Sequence, residues 1–184
     1  MKKIILLIIV VVPVIVQAQQ LIDRAGRAHF FSSAPLEDIE AVNEKALGAM
    51  DLTSGQVAVT LRMEEFIFDK SLMQEHFNEN YVESEKYPKA ILTGNISNFP
   101  ADFIEKAKSG LNTQITGKME IHGVARQVEL PVTFDVQKGI LTVHSVFTLA
   151  VADYKIEIPK MVMMNIAEEV EVTVDFKFEL PEEK

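Results

Sequence analysis

The 184-residue chain is long enough to bury one core and short enough to favour a single domain. Its 18 Lys and Arg against 27 Asp and Glu give a net charge of −9, which argues against a nucleic-acid surface and against electrostatic docking on anionic lipid. The absence of cysteine excludes disulfides, a thiolate nucleophile and a lipid-modified cysteine anchor, so the fold must rest on its core.

The first 18 residues read as a processing segment. Lys2 and Lys3 precede an apolar run from Ile4 to Val16, interrupted only by Pro13, and Val16-Gln17-Ala18 suits a signal peptidase. The run is short for a membrane span, which needs about 20 apolar residues. The expectation is a signal peptide over 1–18, cleavage before Gln19 and one domain over 19–184. Cleavage would leave 16 basic against 27 acidic residues, a net charge of −11.

Strand-like stretches follow at residues 27–32, 44–52 and 56–62, with Ser54-Gly55 as a turn. The rhythm then changes. Leu72, Met73, His76, Phe77 and Asn80 or Tyr81 recur at three- and four-residue spacing, which predicts a short helix around residues 70–80 with an apolar side. Tyr87-Pro88 blocks further helix, and a strand pattern resumes at 89–94. Residues 98–110, containing Pro100, read as a surface connector with no more than a helical turn and no chemical role.

Towards the C-terminus the alternation is clear. Val128, Leu130, Val132, Phe134 and Val136 alternate with polar residues and Pro131, as do Val170, Val172, Val174, Phe176 and Phe178 with polar neighbours. His122-Gly123 and Lys138-Gly139 are set to turn the chain between strands. The sum is an all-β chain of about eight strands in up-and-down order, for which two packed sheets and a closed barrel both remain open.

Three stretches resemble the YceI-like family. The first is His76-Phe77, followed by the acidic and aromatic run Asn80-Tyr81-Val82-Glu83-Ser84 and then Tyr87-Pro88. The second is Thr116-Gly117-Lys118-Met119-Glu120-Ile121-His122-Gly123-Val124, similar to a Gly-x-Leu-x-Ile-His-Gly-Val hairpin. The third is Asp153-Tyr154-Lys155-Ile156 ahead of Pro159. The resemblance implies an extended, lipocalin-like antiparallel β-barrel with a helical segment near its mouth. It also implies a periplasmic protein that binds polyisoprenoid or other amphiphilic lipid inside the barrel, although the exported chain could equally reach the extracellular space. The chain departs from the pattern in lacking an early tryptophan and in carrying Gln74-Glu75 where Arg-Asp is common. Arg62 or Arg126 could replace that cation, yet both face solvent by alternation.

A catalytic reading finds few parts. The chain lacks Gly-x-Ser-x-Gly, His-Glu-x-x-His and any glycine-rich phosphate loop. Its histidines are His29, His76, His122 and His144. A metal site built from His76, Glu79 and a strand histidine is the alternative that would make the chain an enzyme on a lipid or small apolar substrate. His122, beside a turn glycine, is expected to bond to backbone, and the facing of His144 is open. The third alternative is a structural barrel with a filled core.

The leading expectation is a non-catalytic barrel without a cofactor, holding a long isoprenoid-like or fatty lipid for sequestration or transport. Homodimerisation is left open. The residues expected to line the ligand are Phe66, Phe68, Leu72, Met73, His76, Phe77, Tyr81, Val132, Phe134, Val146, Met161 and Met163. Methionine suits such walls because it is flexible and polarizable.

Overall fold

The computed structural model describes residues 20–33, 38–158 and 167–181. The expected signal segment, Met161 and Met163 lie outside these residues. Among the described residues nine strands occur in chain order: β1 (Gln20–Ser33), β2 (Asp38–Asp51), β3 (Gln56–Arg62), β4 (Ile67–Phe68), β5 (Lys89–Ile96), β6 (Leu111–Ile121), β7 (Val124–Gln137), β8 (Ile140–Ala150) and β9 (Glu169–Glu179). Two short helices accompany them, α1 (Ser71–His76) and α2 (Phe103–Ala107). All strand pairs are antiparallel, and each long strand pairs with its neighbours in sequence.

The sheet closes through β1, which pairs with β2 on one side and with β9 on the other. Eight strands therefore form a closed barrel, and the two-residue β4 adds only to the start of β2. Closure leaves no long open edge, so the backbone groups of the ring find partners within it. The choice that sequence left open is settled for the barrel.

The turns follow local chemistry. His122 and Gly123 sit at φ 52° and 68°, and Lys138 and Gly139 at 51° and 77°. Both pairs make two-residue hairpins with left-handed central residues, whose twist matches that of the flanking strands. β1 and β2 are longer than the sequence pattern indicated because their ends carry polar residues and a bulge. The register of β1 against β2 shifts around Gly26. Beyond the β1–β9 ladder, Asp23 continues the join with its carboxylate, which accepts the Lys177 N–H at 2.8 Å and the Ala25 N–H at 2.8 Å. Where β3 leaves β2, Asn43 is wholly buried. Its Nδ2 donates to the Arg62 carbonyl at 3.0 Å, and its Oδ1 accepts from the Lys45 N–H at 2.9 Å.

One end of the barrel is floored. Phe103 and Ala107 of α2 are buried against Phe134, Leu141, Phe176 and Phe178, with the Phe103 and Phe134 rings 5.1 Å apart and edge-on. The segment read as an idle connector is thus the plug of the floor. Its apolar positions at 103, 104 and 107 carry the helical spacing that two turns need.

The walls pinch at the register pair Gly94–Gly117 of β5 and β6. A methyl on Gly117 would lie 2.3 Å from the Thr93 carbonyl oxygen, and one on Gly94 would lie 2.7 Å from that of Thr116. The obstacle is backbone, so neither can relax by turning a side chain. Gly117→Ala is expected to lower the unfolding free energy by about 1–3 kcal/mol, read from the urea midpoint. A wild-type midpoint would show that the two strands separate there without cost.

Candidate functional site

Alternation along each strand sends one set of side chains inwards, and these enclose a cavity of about 630 Å3. Volumes of roughly 300–1,000 Å3 are usual for ligand sites. The wall is apolar: Val57, Val59 and Leu61 from β3, Leu130 and Val132 from β7, and Val143 and Phe147 from β8 are representative. Val57, Val59, Leu61 and Val143 face inwards yet are only partly buried. Inward-facing residues that stay accessible mean the interior is open, which overturns the alternative of a filled core.

The mouth is built by the segment between β3 and β5. Helix α1 continues as one wider, π-helical turn over Phe77–Tyr81. A helix of six residues is marginal on its own, and Lys70 gives it no side-chain cap. Aromatic packing holds it instead. Phe77 lies 5.0 Å from Phe68, 5.6 Å from Phe30 and 5.8 Å from Phe66, ring centre to ring centre. Together with Met73 and Val82 these rings form a second apolar cluster, away from the floor. Leu72, by contrast, lines the cavity yet stands 60 % exposed.

Polar groups reach the cavity at few places. Ser145 Oγ donates to the Pro131 carbonyl at 2.6 Å, and Ser32 Oγ accepts from the Ala167 N–H at 3.2 Å, so both are already engaged with backbone. Lys70, His76 and Tyr81 line the mouth end. Burial pushes the Tyr81 hydroxyl up from its ordinary value, so it stays neutral at physiological pH. Chemically, such a wall can desolvate a hydrocarbon chain and can meet polar atoms only near α1.

Of the twelve residues expected to line a ligand, nine face this cavity: Phe66, Phe68, Leu72, Met73, His76, Phe77, Tyr81, Val132 and Phe134. Val146 does not. It lies on the outer face of β8 and is 38 % exposed, because the inward set of that strand is Leu141, Val143, Ser145, Phe147 and Leu149. Sequence reasoning passed over Phe30, which completes the aromatic cluster, and the segment Val151 to Ile158, of which Val151, Ile156 and Ile158 line the cavity. The run of alternating apolar residues through 141–149 carried the missed parity.

The remaining charges and histidines take other places. Arg62 pairs with Glu64 and Arg126 with Asp153, both on the surface. His29 meets Glu40 at 3.1 Å and His144 meets Asp175 at 2.7 Å, also outside. His122 reaches the Tyr154 carbonyl at 3.1 Å, the backbone contact expected of it. His76 and Glu79 are exposed, and among the described residues no group of three or more His, Asp or Glu is placed to hold a metal ion. Among those residues, too, no helix is long and apolar enough to cross a membrane.

The family model for the YceI-like domain matches residues 27–178. No curated protein matches the chain. Among solved structures, a polyisoprenoid binding domain from Saccharophagus degradans implicated in plant cell wall breakdown superposes with a TM-score of 0.72 at 16% identity, covering 90% of this chain and 100% of that one. Burkholderia cenocepacia BcnA gives a TM-score of 0.69 at 19% identity over 85% of this chain and 98% of its own. The Campylobacter jejuni YCEI protein gives 0.57 at 15% identity over 75% and 81%. These likenesses show a shared fold.

Parity on β7 provides a direct test of the wall. Val132 is 3% exposed and faces inwards, whereas Thr133 points out, with Oγ1 donating to Asn112 Oδ1 at 2.7 Å. Val132→Asp is expected to cost at least about 3 kcal/mol or prevent folding, since it buries an unpaired carboxylate. Thr133→Asp should stay within about 0.5 kcal/mol of wild type. Equal midpoints in urea for the two variants would reverse the assignment.

Proposed function

The chain belongs to the YceI-like family, and on that premise we propose that it is an exported, non-catalytic carrier of a long apolar lipid, isoprenoid-like or fatty, held inside the barrel. The observation that carries this reading is the open apolar cavity of about 630 Å3. At the roughly 30 Å3 that a water molecule occupies in the liquid, it has room for on the order of twenty chain atoms. The likeness to a polyisoprenoid binding domain supports the same ligand class.

The mechanism is desolvation. Each methylene moved from water to the wall contributes about 0.8 kcal/mol, so ten give on the order of 8 kcal/mol before the costs of ordering chain and protein are subtracted. The tail enters between the valines of the walls, and the polar end stays by Lys70, His76 and Tyr81. The basic and apolar run over 2–16 supports export, with the periplasm as the place of action. The acidic balance of the chain argues against a nucleic acid as the partner.

Native mass spectrometry of the purified protein, followed by organic extraction, tests the carrier reading. The expected result is a stoichiometric long-chain adduct, or uptake of added isoprenoid alcohol or fatty acid. Val143→Trp, which fills part of the cavity from β8, should weaken that uptake at least about tenfold and leave the thermal midpoint within a few degrees. A protein that carries no adduct and rejects every added chain overturns the reading.

A further inference from the structure

The hairpin between β6 and β7 does more than turn the chain. His122, at its tip, has a side chain only 10% exposed, and both ring nitrogens face acceptors. Nδ1 lies 3.1 Å from the Tyr154 carbonyl oxygen, and Nε2 lies 2.8 Å from Glu83 Oε2. A carbonyl and an ionised carboxylate can only accept, so only the doubly protonated imidazolium serves both. The neutral ring has one N–H and must turn a lone pair towards the other oxygen.

The acceptors belong to two separate segments. Glu83 follows the mouth helix, and Tyr154 sits in a strap over residues 151–158 that lines the cavity through Val151, Ile156 and Ile158. The strap is tied to the hairpin by side chains. Besides His122, Arg126 Nε donates to the Asp153 carbonyl at 2.9 Å and its guanidinium pairs with the Asp153 carboxylate at 3.4 Å. Tyr87 packs edge-on against the His122 ring at 4.4 Å, and Lys86 lies over the Tyr87 ring and 3.7 Å from Glu83. Glu83, His122 and Lys155 all hold left-handed backbone conformations, at φ 45°, 52° and 56°. Such conformations persist where the surroundings enforce them; Glu83 and His122 touch each other, and Lys155 directly follows Tyr154, whose carbonyl His122 meets.

We propose that His122 is a proton-dependent latch: its imidazolium clamps the strap to the mouth segment and retains the cargo, and its deprotonation loosens the strap. The purpose assigned to the latch rests on the carrier reading; its geometry does not. The charged and titratable groups facing His122 are Glu83, Lys86 and Tyr87 from the mouth segment, Arg126 from β7, and Asp153 and Tyr154 from the strap. The hydrogen bond from His122, and then the charge of Lys86, hold the Glu83 carboxyl below its usual value. Burial raises the Tyr154 hydroxyl, which stays neutral. The sign follows. The latch is strongest on the acid side, down to where Glu83 takes up a proton, and it is lost as pH rises and the imidazole gives up its second proton.

Two variants separate the latch from a merely structural histidine. In Glu83→Gln the new carboxamide can donate to Nε2, so a neutral imidazole can still donate Nδ1–H to Tyr154 and the strap should stay closed at high pH. In His122→Ala the strap should be loose at every pH. The readouts are amide exchange across residues 151–158 between pH 5 and 9, corrected for intrinsic rates, and release of a bound fluorescent polyunsaturated fatty acid to phosphatidylcholine vesicles. In wild type both should quicken about three- to tenfold between pH 5 and pH 9, and Glu83→Gln should flatten that rise. Exchange in wild type that ignores pH, or Glu83→Gln that follows wild type, overturns the latch. Release that does not follow strap exchange overturns its hold on the cargo. A fatty acid that never binds overturns the carrier reading, and exchange alone then decides the latch.

Discussion

Closure of the sheet through β1 is the constraint from which the other features descend. Because β1 pairs with both β2 and β9, every long strand has partners on two sides and the inward set of each is fixed by register. A slip of one residue would exchange the inner and outer sets of a whole strand. The bulge around Gly26, the carboxylate of Asp23 on Lys177 and the buried amide of Asn43 all lie where that ring would otherwise open. They are polar solutions to the same problem, namely satisfying backbone groups where regular pairing stops.

Most of the ring was legible because period-two alternation is a local signal. β7 and β9 were read in register with their buried faces, and His122-Gly123 and Lys138-Gly139 were read as turns. The family resemblance supplied closure, which alternation cannot distinguish from two stacked sheets. β8 shows the limit. Ile140 and Val146 are apolar yet point outwards and Ser145 points inwards, so the alternation of Leu141, Val143, Phe147 and Leu149 that carries the parity is interrupted at its middle. The role of α2 was hidden for a related reason. Phe103 and Ala107 announce an apolar side, but only the topology shows that this side covers an open end.

The mouth was legible as a helix but not as an assembly. Its apolar side was visible at residues 72, 73, 76 and 77, whereas Phe30 comes from β1, more than forty residues earlier in the chain. Four phenylalanine rings, each within about 6 Å of at least two others, hold a helix too short to stand alone. Packing of this kind is non-local, and composition offers no clue to which of the eleven phenylalanines will meet.

Side-chain size explains why this barrel is open when an eight-stranded ring can also fill itself. Phenylalanine is concentrated at the two ends: Phe103, Phe134, Phe176 and Phe178 near the floor, and Phe30, Phe66, Phe68 and Phe77 at the mouth. Between them the walls carry mostly aliphatic side chains, among them Val57, Val59, Val143, Val172 and Val174, with Ser145 on β8 and with Phe147 as an exception to the pattern. Large rings at each end supply the buried area that keeps the ring closed, and the smaller residues between them fall short of meeting across it. The empty middle is therefore compatible with stability, since the weak packing at its centre is offset by the dense packing at its ends. A chain-like ligand fits that division, because it can supply the dispersion attraction that the middle lacks without displacing either cluster.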